Sequence, residues 1–210
     1  MAHVEISRSK EPIRLFKSDF LEFFTHVHPA VVVVIWAPVV VYFMARAIIG
    51  RAGYASALYI PLAFAIGLIA WTLAEYVVHR FVFHFRPRTG WQERVLFLLH
   101  GVHHAQPRSK TRLVMPPAAS IPLALVFYVL FYLIVGIVLG AAQWIAPLFS
   151  GFIAGYLVYD MFHYAMHHFP MRRGAWRWLR RNHMYHHTQT PDLRFGVSSP
   201  LWDAVFGTMG

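Results

Sequence analysis

Four long apolar runs restrict the folds that this sequence can adopt. Each holds at most one charged side chain, and together they cover about residues 30–49, 57–78, 118–139 and 145–162. A helix of about 20 such residues spans the ~30 Å hydrocarbon core of a bilayer. The charged fraction of the whole chain is 13%, well below the fraction of about a quarter that soluble domains show. We therefore expect an all-α integral membrane protein built on a four-helix transmembrane bundle.

Glycine pairs four residues apart predict where these helices pack closely. Gly136 and Gly140 lie at the end of the third run, and Gly151 and Gly155 lie near the start of the fourth. Small residues at this spacing let two helix backbones approach each other. We expect tight helix contacts at both pairs.

The distribution of lysine and arginine predicts the orientation of the spans. Basic residues are frequent before the first run, between the second and third runs and after the fourth, whereas the alternate connections hold only Arg46 and Arg51. Segments rich in lysine and arginine stay on the cytoplasmic side of a membrane. We expect both termini in the cytoplasm, at the inner membrane of a bacterium or the endoplasmic reticulum of a eukaryote.

A single domain of residues 1–210 follows from this topology. The amphipathic segment 1–28 would lie on the membrane surface, and segments 79–117 and 163–210 would form a cytoplasmic helical cap. The net charge of +10 belongs to segments beside the bilayer, so we expect anionic lipid as its partner and not nucleic acid. An acidic electron donor is the alternative partner for two basic faces: Arg108, Lys110 and Arg112, or Arg177, Arg180 and Arg181.

Histidine is concentrated in the predicted cap. Eleven of the 14 histidines form four groups: His79 and His84; His100, His103 and His104; His163, His167 and His168; His183, His186 and His187. Positions i, i+3 and i+4 of a helix share a face, so the rings within a group can point the same way. The chain has no cysteine, so nitrogen and oxygen are the available metal ligands. Because the predicted orientation puts all four groups on one side of the membrane, we expect a metal site there.

The spacing selects ten metal ligands from these groups. His79 and His84 are about 140° apart on a straight α-helix, so one of them must lie near a helix end or approach from another side. His168 is turned about 100° away from His167, so we expect it to support the site without binding metal. Ten ligands exceed the needs of one ion, and the set therefore predicts two metals, although imidazole alone does not choose among Zn, Cu, Fe and Ni. The predicted ligands are His79, His84, His100, His103, His104, His163, His167, His183, His186 and His187.

Carboxylates near the histidines are expected to orient the rings. Glu75 lies four residues before His79, and Asp160 lies three before His163, so each is placed to accept the distal imidazole N–H. Asp203 could do the same from the C-terminal segment. For Glu75 and Asp160 the alternative is a helix-end charge paired with an arginine. Ordinary surface or hydrogen-bonded positions are expected for His3, His26 and His28.

With these motifs, the sequence resembles a known family. The patterns H-x4-H, H-x2-H-H, H-x3-H-H and H-x2-H-H are similar to those of the fatty acid hydroxylase superfamily of membrane non-haem di-metal oxygenases. The resemblance runs from about Glu75 to Thr208 and looks closest to the fatty acid 2-hydroxylase branch. It rests on EYVVHRFVFH, LLHGVHHAQPRSKTRLVMPP, DMFHYAMHH, HMYHH and FGVSSPLWDAVFGT.

The resemblance implies an iron-dependent enzyme that uses O2 to hydroxylate the carbon next to the carboxyl or amide of a long acyl chain. It implies that the ten histidines bind two iron ions, for which zinc would compete in purified protein, and that no catalytic residue beyond these ligands is needed. Members of the family often carry a fused haem-cytochrome domain, for which this sequence has no room, so we expect a separate ferredoxin or cytochrome as electron donor. The alternatives are a sterol, carotenoid or alkane oxidase with the same site, a metal transporter, and a bis-histidine haem protein.

Overall fold

The computed structural model describes residues 9, 11–51 and 56–210, and every regular element in this part of the chain is helical. Four of the helices are long and apolar enough to cross a membrane. The all-α fold and the four spans are therefore confirmed, and the chain is a multi-pass membrane protein. Within the predicted N-terminal segment, His3, Arg8 and Lys10 lie outside the described residues.

The helices follow one another in a simple order. They are α1 (Asp19–Phe23), α2 (Pro29–Ile49), α3 (Tyr59–Val77), α4 (Gly90–Leu96), α5 (Val102–Ala105), α6 (Pro117–Phe131), α7 (Ile145–His168), α8 (Gly174–Thr188) and α9 (Leu201–Val205). Three π-helical segments continue α3, α4 and α6, at Val78–Phe83, Phe97–Gly101 and Tyr132–Val138, and a 3-10 turn, Ala142–Trp144, precedes α7.

Two of the spans end later than the hydropathy of the sequence predicts. The second runs from Tyr59 to Phe83 and the fourth from Ala142 to His168, where the expected ends were residues 78 and 162. The polar histidines lower the local hydropathy, but the helical backbone continues through them. His79, His163 and His167 therefore lie on the last turns of long helices.

The residues Ala30–Trp71 and Met115–Val158 form one compact unit, called here the apolar unit. In it α2 contacts α6 through the indole N–H of Trp36, which donates to Ser120 Oγ at 3.2 Å. Helix α2 also contacts α7, since Ser150 Oγ donates to the Val40 carbonyl at 2.8 Å. A further hydrogen bond in this unit runs from the Tyr156 hydroxyl to the Met115 carbonyl at 3.4 Å, and the rings of Trp71 and Phe152 pack between α3 and α7.

Glycines bring α3 and α7 together within the apolar unit. A Cβ on Gly151 would lie 2.0 Å from the Phe64 carbonyl oxygen, and one on Gly155 would lie 2.6 Å from Trp71 Cβ. The close packing predicted for this pair is confirmed. At Gly140 no described atom lies within 4 Å of an added Cβ, so the prediction for that glycine was wrong.

The second compact unit, called here the histidine unit, consists of Thr72–Val114 and Tyr159–Gly210 with the described residues before Ala30. It contains α4, α5, α8 and α9, together with the last turns of α3 and α7. All four histidine groups belong to this unit, so segments far apart in the sequence meet in it.

Candidate metal centre

The ten histidines selected by spacing lie together in the histidine unit as two groups of five. The first group is His79, His84, His100, His104 and His186, and the second is His103, His163, His167, His183 and His187. Within each group one nitrogen per ring lies within 4.8 Å of all the others. Eight of the ten rings are buried, and His167 and His187 are half-buried.

The Nε2 atoms of each group face a common centre. Each of the ten lies 2.8–3.1 Å from at least one other Nε2 of its group, as between His79 and His100 (3.1 Å) and between His163 and His103 (2.8 Å). A neutral imidazole nitrogen carries one hydrogen or one lone pair, so hydrogen bonds cannot satisfy five nitrogens that all face one point. One cation can accept all five lone pairs. The residues of each group therefore fit a metal ion.

The spacing between the nitrogens favours a metal with more than four ligands. Two nitrogens at about 2.0–2.1 Å from one ion are about 2.9 Å apart when they subtend a right angle, and about 3.4 Å apart in a tetrahedron. The shortest separations here match the right angle. Structural zinc sites are tetrahedral and take four ligands, so groups of five imidazoles differ from such sites in both number and spacing.

Each H-x2-H-H motif serves both groups. His100 and His104 belong to the first group, whereas His103 belongs to the second; in the same way His186 belongs to the first, and His183 and His187 to the second. The alternation follows from the helix, since i and i+4 lie on one stripe and i+3 lies beside it. Each of the two motifs thus contributes histidines to both groups.

A π-helical turn at the end of α3 explains the H-x4-H spacing. Val78–Phe83 form this turn, in which i→i+5 hydrogen bonds place residues five apart one above the other. His79 and His84 are five apart and face the same centre. His84 is also the residue that ends the turn, as the spacing predicts for one of the pair.

Backbone carbonyls of the C-terminal loop hold two of the rings. His79 Nδ1 donates to the Phe195 carbonyl at 2.5 Å, and His186 Nδ1 donates to the Leu193 carbonyl at 2.7 Å. A hydrogen on Nδ1 leaves the lone pair on Nε2, the atom that faces the group centre. Sequence reasoning missed both acceptors, because any residue type can supply a backbone carbonyl.

The carboxylates of Glu75 and Asp203 hold that loop instead of the imidazoles. Glu75 accepts from the backbone N–H of Val197 at 2.5 Å and of Ser198 at 2.8 Å, and from the Ser198 hydroxyl. Asp203 accepts from the N–H groups of Phe195 and Gly196 at 2.9 and 2.7 Å. The expected direct contact with a ring is thus corrected at both residues: each carboxylate acts on His79 through the loop that carries the Phe195 carbonyl.

The other two predicted supporting residues are placed differently. Asp160 is buried near His163 in sequence, and its role as an acceptor remains a prediction. His168 belongs to neither group, and its ring lies 4.4 Å from that of Tyr164. This position agrees with the expectation that His168 does not bind metal; its supporting role remains a prediction.

Burial keeps the histidines uncharged. For the ligands outside the membrane spans, loss of hydration lowers the pKa, and neighbouring histidines of the groups lower the pKa of most of them further. The pKa of His84 lies at about 3 and that of His186 at about 4. Uncharged imidazole is the form that binds a metal, so the groups are ready to do so at neutral pH.

A polar network ties the N-terminal segment to the loop after the second histidine motif. Arg112 donates to Glu22 Oε1 at 2.6 Å and to the Ile13 carbonyl at 2.7 Å. Gln106, two residues after His104, accepts the Ile13 N–H at 2.8 Å. Arg112 is therefore buried, and its assignment to an exposed basic face was wrong. No spacing rule predicts this network, because its members are about 90 positions apart.

Comparison with known proteins places these features in a family. The family model for fatty acid hydroxylase matches residues 64–208. A dihydroceramide fatty acyl 2-hydroxylase of Arabidopsis thaliana is 37% identical over 201 residues, which cover 96% of this chain and 81% of that protein. A human fatty acid 2-hydroxylase is 32% identical, and the match covers 94% of this chain and 57% of that protein.

The structural comparison agrees. The hydroxylase domain visible in full-length scs7p superimposes with a TM-score of 0.80 at 39% identity, over 90% of this chain and 69% of that one. The resemblance that the histidine motifs indicate is thereby confirmed. The chain belongs to the fatty acid hydroxylase family and is an oxidoreductase enzyme of the membrane.

Proposed function

We propose that this chain hydroxylates carbon 2 of a fatty acyl chain carried by a membrane lipid, with O2 as oxidant and two iron ions bound by the ten histidines. The observation that carries the proposal is the pair of buried five-imidazole groups in a member of the fatty acid hydroxylase family. The relatives compared above are named for dihydroceramide and fatty acid. Both substrates have a carbonyl next to the carbon that is hydroxylated.

The location of the groups supports a lipid substrate. His79 and His163 lie on the last turns of apolar spans, so an acyl chain can reach them from the bilayer. Metal transporters, the alternative from another class, bind their cargo near the bilayer midplane on broken helices. The distribution of arginine and lysine supports a cytoplasmic location for the groups and for both termini.

The residues of the chain hold, orient and shield the reacting centre. The ten Nε2 atoms would hold the two metal ions. The Phe195 and Leu193 carbonyls fix the rings of His79 and His186, and burial excludes bulk water. When bound, a pair of redox-active ions supplies the activation of O2 that hydroxylation of a C–H bond requires. Groups of five nitrogens exceed the four ligands of a tetrahedral zinc site, and we propose iron as the metal, although zinc competes for imidazole.

The reaction also needs a source of electrons. One oxygen atom of O2 enters the substrate and the other becomes water, which consumes two electrons and two protons. We propose a separate ferredoxin or cytochrome as the donor. The excess of basic over acidic residues in the chain supports a partner with an acidic surface.

Lipid analysis of a host that expresses the chain tests the proposal. We expect acyl lipids heavier by one oxygen atom, with fragmentation that locates the hydroxyl on carbon 2. His103→Ala should abolish the product and reduce the metal content from two ions per chain, because His103 belongs to the second group. His28→Ala, at an exposed histidine outside both groups, is the matched control and should retain both the product and the metal.

Two results would contradict the proposal. The first is that no hydroxylated acyl lipid forms although the chain holds two iron ions and accepts electrons. The second is a hydroxylated sterol, carotenoid or alkane as the main product, which would assign the chain to another activity of the superfamily.

A further inference from the structure

A cleft rich in arginine lies in the histidine unit beside α8, and the proposed reaction makes no use of it. Its volume is about 560 Å³, within the usual range for small-molecule sites. We call it the arginine cleft. It is lined by Met171, Arg172, Arg177, Arg180, Arg181, Met184, Tyr185 and Thr188.

Helix α8 separates the arginine cleft from the metal-binding groups. Arg177, Arg181 and Thr188 recur at intervals of four and seven residues and so form one stripe of the helix. His183 and His186 point from a different stripe, where they join the two histidine groups. The cleft is therefore a site of its own and not an entrance formed by the ligands.

Among the described residues, no acidic side chain forms an ion pair with the arginines of the cleft. Residues 161–191 hold five arginines and neither aspartate nor glutamate. In the part of the chain that the structure describes, the ion pairs are formed by Arg14, His26 and Arg112, none of which lines the cleft. Arg180 Nε donates to the Met166 carbonyl at 2.8 Å, which fixes one guanidinium at the wall. Such a concentration of arginine calls for an external anion.

The surroundings of the cleft indicate which anion. The fourth span ends at His168, so Met171 and Arg172 follow the membrane segment by only three and four residues. Phe169 and Trp176 nearby are 58% and 50% exposed, as expected for aromatic residues at the membrane interface. The lining itself combines guanidinium groups with two methionines and a tyrosine. We infer that the arginine cleft binds the phosphate of an anionic phospholipid, with the apolar side chains against the glycerol and the first carbons of the acyl chains.

A concave site of this size suits a headgroup better than a protein surface. Interfaces with proteins are broad and shallow, whereas arginine presents paired N–H donors that match phosphate oxygens. Basic pockets beside spans on the cytoplasmic side commonly hold anionic headgroups. From the sequence, Arg177, Arg180 and Arg181 are also a possible docking face for an acidic electron donor. The experiment below distinguishes anionic lipid from such a protein as the partner.

Binding of short-chain lipid to the purified full-length chain tests the inference. Native mass spectrometry would count adducts of dioctanoyl phosphatidylglycerol, with dioctanoyl phosphatidylcholine and inorganic phosphate in parallel. We expect saturable binding of phosphatidylglycerol. Arg177→Gln/Arg181→Gln should lose about thirtyfold in affinity, since each arginine near an anionic headgroup contributes about fivefold. Both residues are exposed, so the variant should fold.

Arg88→Gln/Arg94→Gln is the matched control. It removes the same charge from exposed positions outside the cleft and should bind phosphatidylglycerol as the unmodified chain does. Equal affinities for all three chains would overturn the inference, as would inorganic phosphate that binds as tightly as the lipid. If the cleft variant keeps its lipid but receives electrons more slowly from an acidic donor protein, the cleft is a protein docking site and the inference is wrong.

Discussion

Glu75 shows how a single residue can orient a histidine ring that it does not touch. Its carboxylate accepts from two backbone amides and one hydroxyl of residues 197 and 198. These bonds fix the loop whose Phe195 carbonyl accepts the Nδ1–H of His79. Such hydrogen bonds matter most where water is excluded, because a buried donor that loses its acceptor cannot bond to water instead.

Glu75→Gln should therefore loosen the loop and destabilise the chain by about 1.5–3 kcal/mol. The amide oxygen can replace one carboxylate oxygen, but the NH2 group faces donors. Ser198→Ala removes one hydrogen bond and should cost about 0.5–1.5 kcal/mol. Unfolding in mixed micelles measures both values, and release of metal to a chelator should be faster for Glu75→Gln. A Glu75→Gln variant as stable as Ser198→Ala would show that the carboxylate charge does not hold the loop.

Glu22 gives a second prediction, because its pKa is low. Burial alone raises this pKa, but hydrogen bonds from Phe16, His26 and Leu15 and the charge of Arg112 outweigh it, and the pKa falls from 4.5 to about 2. A carboxyl whose pKa is lower in the folded state stabilises that state above its unfolded pKa. The contribution should be complete above pH 4.5 and should be lost as the pH falls from 4.5 towards 2.

The pH dependence can be isolated by comparison with Glu22→Gln. The difference in unfolding midpoint between the two chains should be constant from pH 7 to about 5.5 and should shrink below 4.5. Glu93→Gln, at an exposed position of α4, is the control and should show no such change. A difference that grows as the pH falls would contradict the assignment.

The metal-ligand candidates are more predictable from sequence than the residues that support them. His100 and His104 share a helix face by spacing alone, and the same holds for His183 and His187. The supporting acceptors depend on the path of the loop at 193–198, which is set by Glu75 and Asp203 from distant parts of the chain. No local pattern encodes such contacts, so residues that looked like direct partners of the rings proved to hold the loop.

At the scale of elements, the π-helical turn after α3 decides the geometry of the first histidine group. A π turn contains one residue more than an α-helical turn and often occurs at functional sites. Here it turns H-x4-H, which is out of phase on an α-helix, into a co-facial pair. The sequence spacing predicts that the two rings are out of phase on an α-helix. The π turn that aligns them is too rare to be assumed from a sequence.

Length changes within the turn test this interpretation. Deletion of Phe81, which is 59% exposed, would leave H-x3-H, and that pair is co-facial on a regular α-helix. We expect this variant to keep both metal ions. Insertion of an alanine after Phe81 would leave H-x5-H, which is about 120° apart on an α-helix and no longer matches the i, i+5 register of the π turn, and should cost the ion of the first group. Elemental analysis of the purified variants measures the difference, and equal metal content in both would contradict the role of the turn.

Close packing of α3 and α7 is a second feature of the elements. Cβ atoms on Gly67 and Gly151 would lie 2.1 and 2.0 Å from the carbonyl oxygens of Leu148 and Phe64. Backbone atoms cannot move aside as a flexible side chain can, so each Gly→Ala change should destabilise the chain by about 1–3 kcal/mol or more. Gly90→Ala, where no described atom lies within 4 Å, is the control and should be neutral or slightly stabilising. Equal unfolding midpoints for Gly151→Ala and Gly90→Ala would contradict the close approach.

At the scale of the whole molecule, the number of membrane spans predicts whether the histidines and the termini lie on the same side of the membrane. The first histidine motif begins with His79 in the last turns of the second span, and the third motif lies at the end of the fourth. An even number of crossings returns a chain to the side on which it started, so we expect these residues to share a side with the N-terminal segment. The apolar runs alone predict this arrangement, because hydropathy and length are local properties. The meeting of four motifs in two groups of five requires the tertiary structure.

The side of the membrane is tested by reporters on the complete chain. Alkaline phosphatase, which folds only outside the bacterial cytoplasm, should be inactive after Gly210 and active when inserted in the turn between Gly140 and Ala142, which contains no arginine or lysine. A fluorescent protein that fails to fold after export should give the opposite result at the two positions. Phosphatase activity after Gly210 would place the histidines on the outer side. An electron donor in the cytoplasm could not then reduce the metal centre, so this result would contradict both the orientation and the proposed source of electrons.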